Sequence, residues 1–169
     1  MKRSFPLALV LLAGASITGL AQQTNAAQGV FERWKQQTPA EEVSKLSFAL
    51  AVVTRRTDAG IAELNLWALG KATEVVVEVQ PLYIETLPDG HYRQEKSGTS
   101  NITRIGSKDG ANTTGDQTAL NIIIPVAPNA NAIEIKWMGY DSGKVQNAIT
   151  TLSWLKNEPT EVFTKVTSN

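Results

Sequence analysis

Hydrophobic and polar residues alternate with a period of two along most of this chain. The clearest runs are Ile61 to Ala68 (IAELNLWA) and Thr73 to Val79 (TEVVVEV). In the second, Thr73, Val75, Val77 and Val79 fall on one face and Glu74, Val76 and Glu78 on the other, the pattern of a strand buried on one side. In the first, Ala62, Leu64, Leu66 and Ala68 alternate with Glu63, Asn65 and Trp67. Leu69-Gly70-Lys71-Ala72 between them suits a tight connection, with Gly70 free to take positive φ. The pair is expected to form the centre of an antiparallel sheet.

The same period marks the other strands. Leu46, Phe48, Leu50 and Val52 alternate with Ser47, Ala49, Ala51 and Val53, and the polar turn Arg55 to Gly60 follows. Pro81 cannot donate to a ladder, so it ends or re-aims its strand. Leu82 to Thr86 and His91 to Lys96 flank Leu87-Pro88-Asp89-Gly90, strong turn chemistry that predicts a hairpin. Ser97 to Ser100 reads as loop, Asn101 to Ser107 as an edge strand and Lys108 to Gln117 as a long polar loop. Ala119 to Val126 sets Leu120, Ile122, Ile124 and Val126 on one face, with Pro125 at its end or at a sheet edge. After a turn at Pro128 to Asn131, Ile133, Ile135 and Trp137 alternate with Glu134, Lys136 and Met138. Tyr140 to Lys144 closes a hairpin onto Val145 to Trp154, in which Ala148, Leu152 and Trp154 are in phase. Short strands, regular turn signals and no crossover helices predict an all-β fold. The expected architecture is an immunoglobulin-like antiparallel β-sandwich of about seven strands, with a small barrel as the alternative.

The first 45 residues read differently. Met1-Lys2-Arg3 is basic, Leu7 to Leu12 is apolar, and small residues run on through Gly19 and Ala21. This is the layout of a secretory signal peptide, 1–21, with cuts after Ala26 or Ala27 as alternatives. The apolar run is too short and interrupted to span a bilayer stably, so a retained anchor is the lesser reading. Residues 22–45 are then a polar leader with a short helix. Gln22 to Gln28 is expected to be flexible. Val30, Phe31 and Trp34 have helical spacing, for packing or as a partner-binding arm. Thr38-Pro39-Ala40-Glu41 offers an N-cap, a first-turn Pro and Glu at the third position, predicting a helix from Pro39 to about Lys45 that covers an end of the sheet. Residues 46–158 form the sandwich domain and 159–169 a loose tail.

Cysteine is absent, so packing rather than disulfides must stabilise the fold, and thiol catalysis and thiolate metal sites are excluded. The chain balances 16 basic against 16 acidic residues, and removing Lys2 and Arg3 leaves 14 against 16, a net of about −2. A nucleic-acid binder would carry a basic excess. His91 is the single histidine and follows a turn, without a GxSxG elbow, which argues against a Ser-His-Asp hydrolase. Glu74 and Glu78 share a strand face but stand roughly 13 Å apart, too far for a glycosidase pair. No histidine or carboxylate cluster suits a metal, and no glycine loop suits a phosphate. No catalytic, cofactor or metal site is expected. Arg93, Lys96, Arg104 and Lys108 with Tyr92 make a candidate basic, amphipathic strip for a partner; the competing reading is charge that protects sheet edges from aggregation.

From Leu46 to Trp154, about 110 residues, the order of elements resembles the small periplasmic immunoglobulin-like proteins that keep curli amyloid subunits from polymerising. Gly60 to Val79 resembles that family's paired strands, Ser97-Gly98-Thr99-Ser100 its small-residue segment after a strand, and Leu120 to Trp154 its C-terminal half. Some members carry Cys-x-Cys in the second strand; here Val and Glu stand there, and the helical leader is extra. The resemblance implies a periplasmic or secreted chaperone without cofactor. It would contact an unfolded or amyloid-forming subunit through a charged sheet surface, with Tyr92, Arg93, Lys96 and Arg104 as contact residues. A cell-surface structural or adhesion module that binds protein or glycan is the alternative.

Overall fold

In the computed structural model, which describes residues 25–106, 113–114 and 116–168, two helices precede ten strands. They are α1 (Ala26–Gln37), α2 (Ala40–Ser44), β1 (Leu46–Arg56), β2 (Ile61–Leu69), β3 (Glu74–Thr86), β4 (Tyr92–Lys96), β5 (Asn101–Gly106), β6 (Thr113–Thr114), β7 (Gln117–Pro125), β8 (Ala132–Asp141), β9 (Lys144–Trp154) and β10 (Thr160–Thr167). The expected signal segment 1–21 lies outside the described residues, as does most of the loop expected over Lys108 to Gln117, Lys108 included.

The strands build two antiparallel sheets. Sheet A has the order β10-β1-β2-β7-β6; sheet B has β4-β3-β8-β9, with β5 also on β3. The series β1-β2-β7-β6 against β3-β8-β9 is the strand order of an immunoglobulin-like sandwich, extended by β10 at one edge and by β4 and β5 at another. The sandwich reading holds, with more strands than the expected seven.

The two strands of strongest alternation are not partners. β2 lies in sheet A between β1 and β7, and β3 lies in sheet B between β8 and β4/β5. Residues 70–73 cross from one sheet to the other. Gly70 does not take positive φ there; it is needed for close approach. A Cβ on Gly70 would lie 2.6 Å from Cδ2 of the buried Phe48 ring and 3.0 Å from Asn147 Nδ2. Gly70→Ala is therefore expected to destabilise by about 1–3 kcal/mol through overpacking, read as a lower urea midpoint; an unchanged midpoint would show that the crossing has room to spare.

Alternation does position the core. Phe48, Leu50 and Val52 of β1, Leu64 and Leu66 of β2, Val75, Val77 and Val79 of β3, and Ile133, Ile135 and Trp137 of β8 meet between the sheets. β3 continues straight through Pro81. Its outer edge pairs with β5 as far as Val79 and with β4 from Leu82, so the residue lacking an N–H falls in the gap between them. Where β9 faces β1, the interior turns polar: the Thr54 and Ser153 hydroxyls share a buried 2.7 Å hydrogen bond across the sheets.

The N-terminal segment is more ordered than its sequence suggested. α1 begins at Ala26, inside the stretch read as a flexible leader, because Asn25 accepts from the Ala27 amide at 2.9 Å and caps it. α1 lies on the outer face of sheet A, over Ala49, Ala51, Val53 and Trp67. Phe31 stacks on Trp67 with centroids 4.3 Å apart, and Trp34 meets Phe163 at 5.1 Å. Phe31 is thus buried and Trp34 half-buried against the sheet. Thr38 closes α1, its hydroxyl donating to Trp34 O at 2.8 Å, so α2 starts with Pro39 as its cap. α2 buries no residue and links α1 to β1 without covering a sheet end. The segment read as a loose tail is also structured: β10 pairs with β1 from Thr160 to Thr167.

Candidate functional site

His91 and Asp89 are both exposed on the β3–β4 turn, 3.2 Å apart, with the Asp89 carboxylate also accepting from the His91 amide at 3.0 Å. A shallow cleft of about 250 Å³ is lined by Arg55, Arg56, Thr57, Asp58 and Asn157. Its guanidinium groups are engaged elsewhere: Arg55 with Glu63 at 2.6 Å, and Arg56 with the Ala130 carbonyl at 2.7 Å. Among the described residues no group of His, Asp and Glu is arranged to hold a metal ion, and no helix is long and apolar enough to cross a membrane.

The outer face of sheet B is different. The pleat turns Glu74, Val76, Glu78 and Gln80 of β3 outward, and register carries each row across the sheet. One row reads Arg104, Val76, Met138, Ala148. The next reads Ile102, Glu78, Lys136, Thr150. A further row reads Lys96, Leu82, Ala132, Trp154, but Leu82 and Ala132 are buried, so Lys96 and Trp154 stand at its two exposed ends. At the centre, Lys136 lies 3.3 Å from Glu134 and 3.9 Å from Glu78. At the margins stand large exposed apolar groups: Ile102 is 60% exposed, Val145 54%, Trp154 43% and Leu152 39%. The face is thus a charged ladder between apolar borders, spanning three strand spacings or roughly 14 Å.

The predicted strip is only partly assembled. Lys96 and Arg104 share this outer face, but their β3 partners are Leu82 and Val76, so they stand roughly 20 Å apart at the usual strand rise. Tyr92 lies on the same side as Lys96 at the far end of β4 and is 70% exposed. Arg93 alternates to the opposite side and is bound to Glu95, its Nε donating at 2.8 Å. That hydrogen bond, more than the carboxylate's charge alone, raises the Arg93 pKa above the usual arginine value. Lys71, on the crossing between sheets, is held likewise by Asp141 at 3.0 Å, and its pKa is raised mainly by that bond.

The apolar border on β9 was the feature that alternation misled. Ala148, Leu152 and Trp154 are in phase as expected, yet they face solvent, while Thr151 and Ser153 are buried. The extra residue at a bulge opposite Gly139/Tyr140 brings Val145 onto the same outer side. The signal that identifies this arrangement is composition: Val145 to Trp154 contains no charged residue.

Comparison of the chain with protein-family models, curated proteins and solved structures finds no match.

Proposed function

We propose that this chain is an exported, periplasmic or secreted binding protein that holds an amyloid-forming subunit of curli type back from polymerising. It acts as a chaperone through the outer face of sheet B, without catalysis or cofactor. The observation that supports this reading is that one pleated face carries Arg104 and Lys96, which have no ion-pair partner among the described residues, together with exposed Ile102, Leu152 and Trp154. An unfolded subunit presents mixed polar and apolar side chains, and such a face can hold it by many weak contacts. Charge between the apolar borders keeps the face from becoming a flat template for stacking. Arg93, already satisfied by Glu95, contributes less than its neighbours.

The test is the thioflavin time course of a purified curli-type subunit with and without this protein. An equimolar or smaller dose should lengthen the lag several-fold. Unchanged curves would count against the chaperone reading, and binding to finished fibres without any change in lag would favour an adhesion module.

A further inference from the structure

Sandwich proteins expose sheet edges, and each exposed edge is a template for an incoming strand unless something blunts it. Three of the four edges here are blunted, β4 and β5 sharing one of them. β4 (YRQEK) carries Arg93, Glu95 and Lys96; β5 carries Arg104; β10 carries Glu161 and Lys165. β7 ends in Pro125 and has β6 laid on it. β9 is the exception. It closes sheet B, and beyond Lys144 it has neither charge nor proline. Its bulge sits at the hairpin end, so register with β8 runs unbroken from Asn147 to Trp154. β10 passes nearby in the other sheet, with the Thr164 hydroxyl 3.5 Å from that of Thr151, and the Trp154 carbonyl accepts from the Thr54 hydroxyl at 3.3 Å, but among the described residues no backbone hydrogen bond joins β9 to β10.

We propose that the outer edge of β9, Asn147 to Trp154, is a strand-addition site that takes up one extended, uncharged segment of the polymerising subunit. The inference rests on the chaperone reading and specifies how that surface works. Only an extended backbone satisfies a row of edge amides and carbonyls, so the occupant is a strand. A charged segment would set its ions beside Ala148, Thr150 and Leu152 with no counter-charge on the strand. Side chains of the added strand that point outward would lie beside Leu152 and Trp154, which favours apolar or aromatic groups there. Those that point inward would meet Thr151 and Ser153, which favours small ones. Capping one growing edge in this way removes a strand from the pool able to nucleate.

The experiment uses the full chain, a purified curli-type subunit, and a synthetic uncharged peptide in which apolar or aromatic residues alternate with small ones. Thr150→Lys and Leu152→Lys are made separately. Both positions are exposed, and circular dichroism checks each fold. Ile123→Lys, on a more exposed apolar position of sheet A, is the control. The expected result is that wild type and the control lengthen the lag while both β9 variants lose most of the effect, about tenfold in the dose required. Amide exchange of residues 147–154 should slow at least tenfold with the peptide. Equal activity of the β9 variants, with unprotected β9 amides, overturns the edge proposal and leaves the chaperone reading standing. No lag extension by wild type overturns the chaperone reading and the edge proposal with it. A dimer in sedimentation that Thr150→Lys dissolves assigns the edge to a second copy of this chain and also overturns the proposal.

Discussion

A chain ended at Glu158 is expected to lose most of its folding free energy. That truncation removes β10, which pairs with β1 over nearly its whole length. It also removes Phe163, which meets both Phe31 and Trp34, and three polar ties to the helical segment. Arg33 would lose Glu161 at 2.6 Å, Glu42 would lose Lys165, and Trp34 would lose the Lys165 ammonium 4.9 Å above its ring. The exposed ion pairs count for little, up to ~1 kcal/mol each. Loss of the half-buried Phe163 costs less than the roughly 3–5 kcal/mol of a core aromatic, but together with the whole β10 ladder it is large against a typical total of roughly 5–15 kcal/mol. The truncation further leaves β1 as a sheet edge that is uncharged from Leu46 to Thr54, an invitation to edge-to-edge aggregation. Urea titration and sedimentation velocity are the measurements. A midpoint equal to that of the full chain, in a monomer, would mean that β10 is dispensable.

Trp67→Ala is expected to cost about 3–5 kcal/mol, the range for truncating a buried aromatic. Trp67 is 2% exposed, points to the outer face of sheet A and carries the Phe31 ring. The contact is the largest fully buried one between α1 and the sheet, because the helix's other buried residues are Ala27 and Val30. For a chain of this size the change corresponds to a melting point lower by about 6–20 °C. Amide exchange in α1 should accelerate well beyond that in β3 and β8, whose core lies on the other side of sheet A. Uniform acceleration through the whole molecule would show instead that helix and sandwich unfold as one unit.

These two experiments probe the regions that sequence reading described least well. The capping of α1 by Asn25 was hidden in a polar, small-residue stretch that resembles a linker. β10 (TEVFTKVT) alternates weakly, and only its partner β1 makes it a strand. The candidate strip shows the same limit. Nearness in sequence placed Arg93, Lys96 and Arg104 together, whereas β3 separates their partners along its length and strand alternation sends Arg93 to the other side.

Sequence alone determined the class of fold, the strand positions apart from β6 and β10, the turns and the core residues of β1, β2, β3, β7 and β8. These follow from side-chain periodicity and turn chemistry, which are local properties of the backbone. Tertiary structure alone decided which strands pair, that β2 and β3 belong to opposite sheets, and that β9 shows its apolar side to solvent. Periodicity separates a strand's two faces but does not name the one that is buried. That choice depends on what lies opposite, and at Ser153 what lies opposite is the Thr54 hydroxyl.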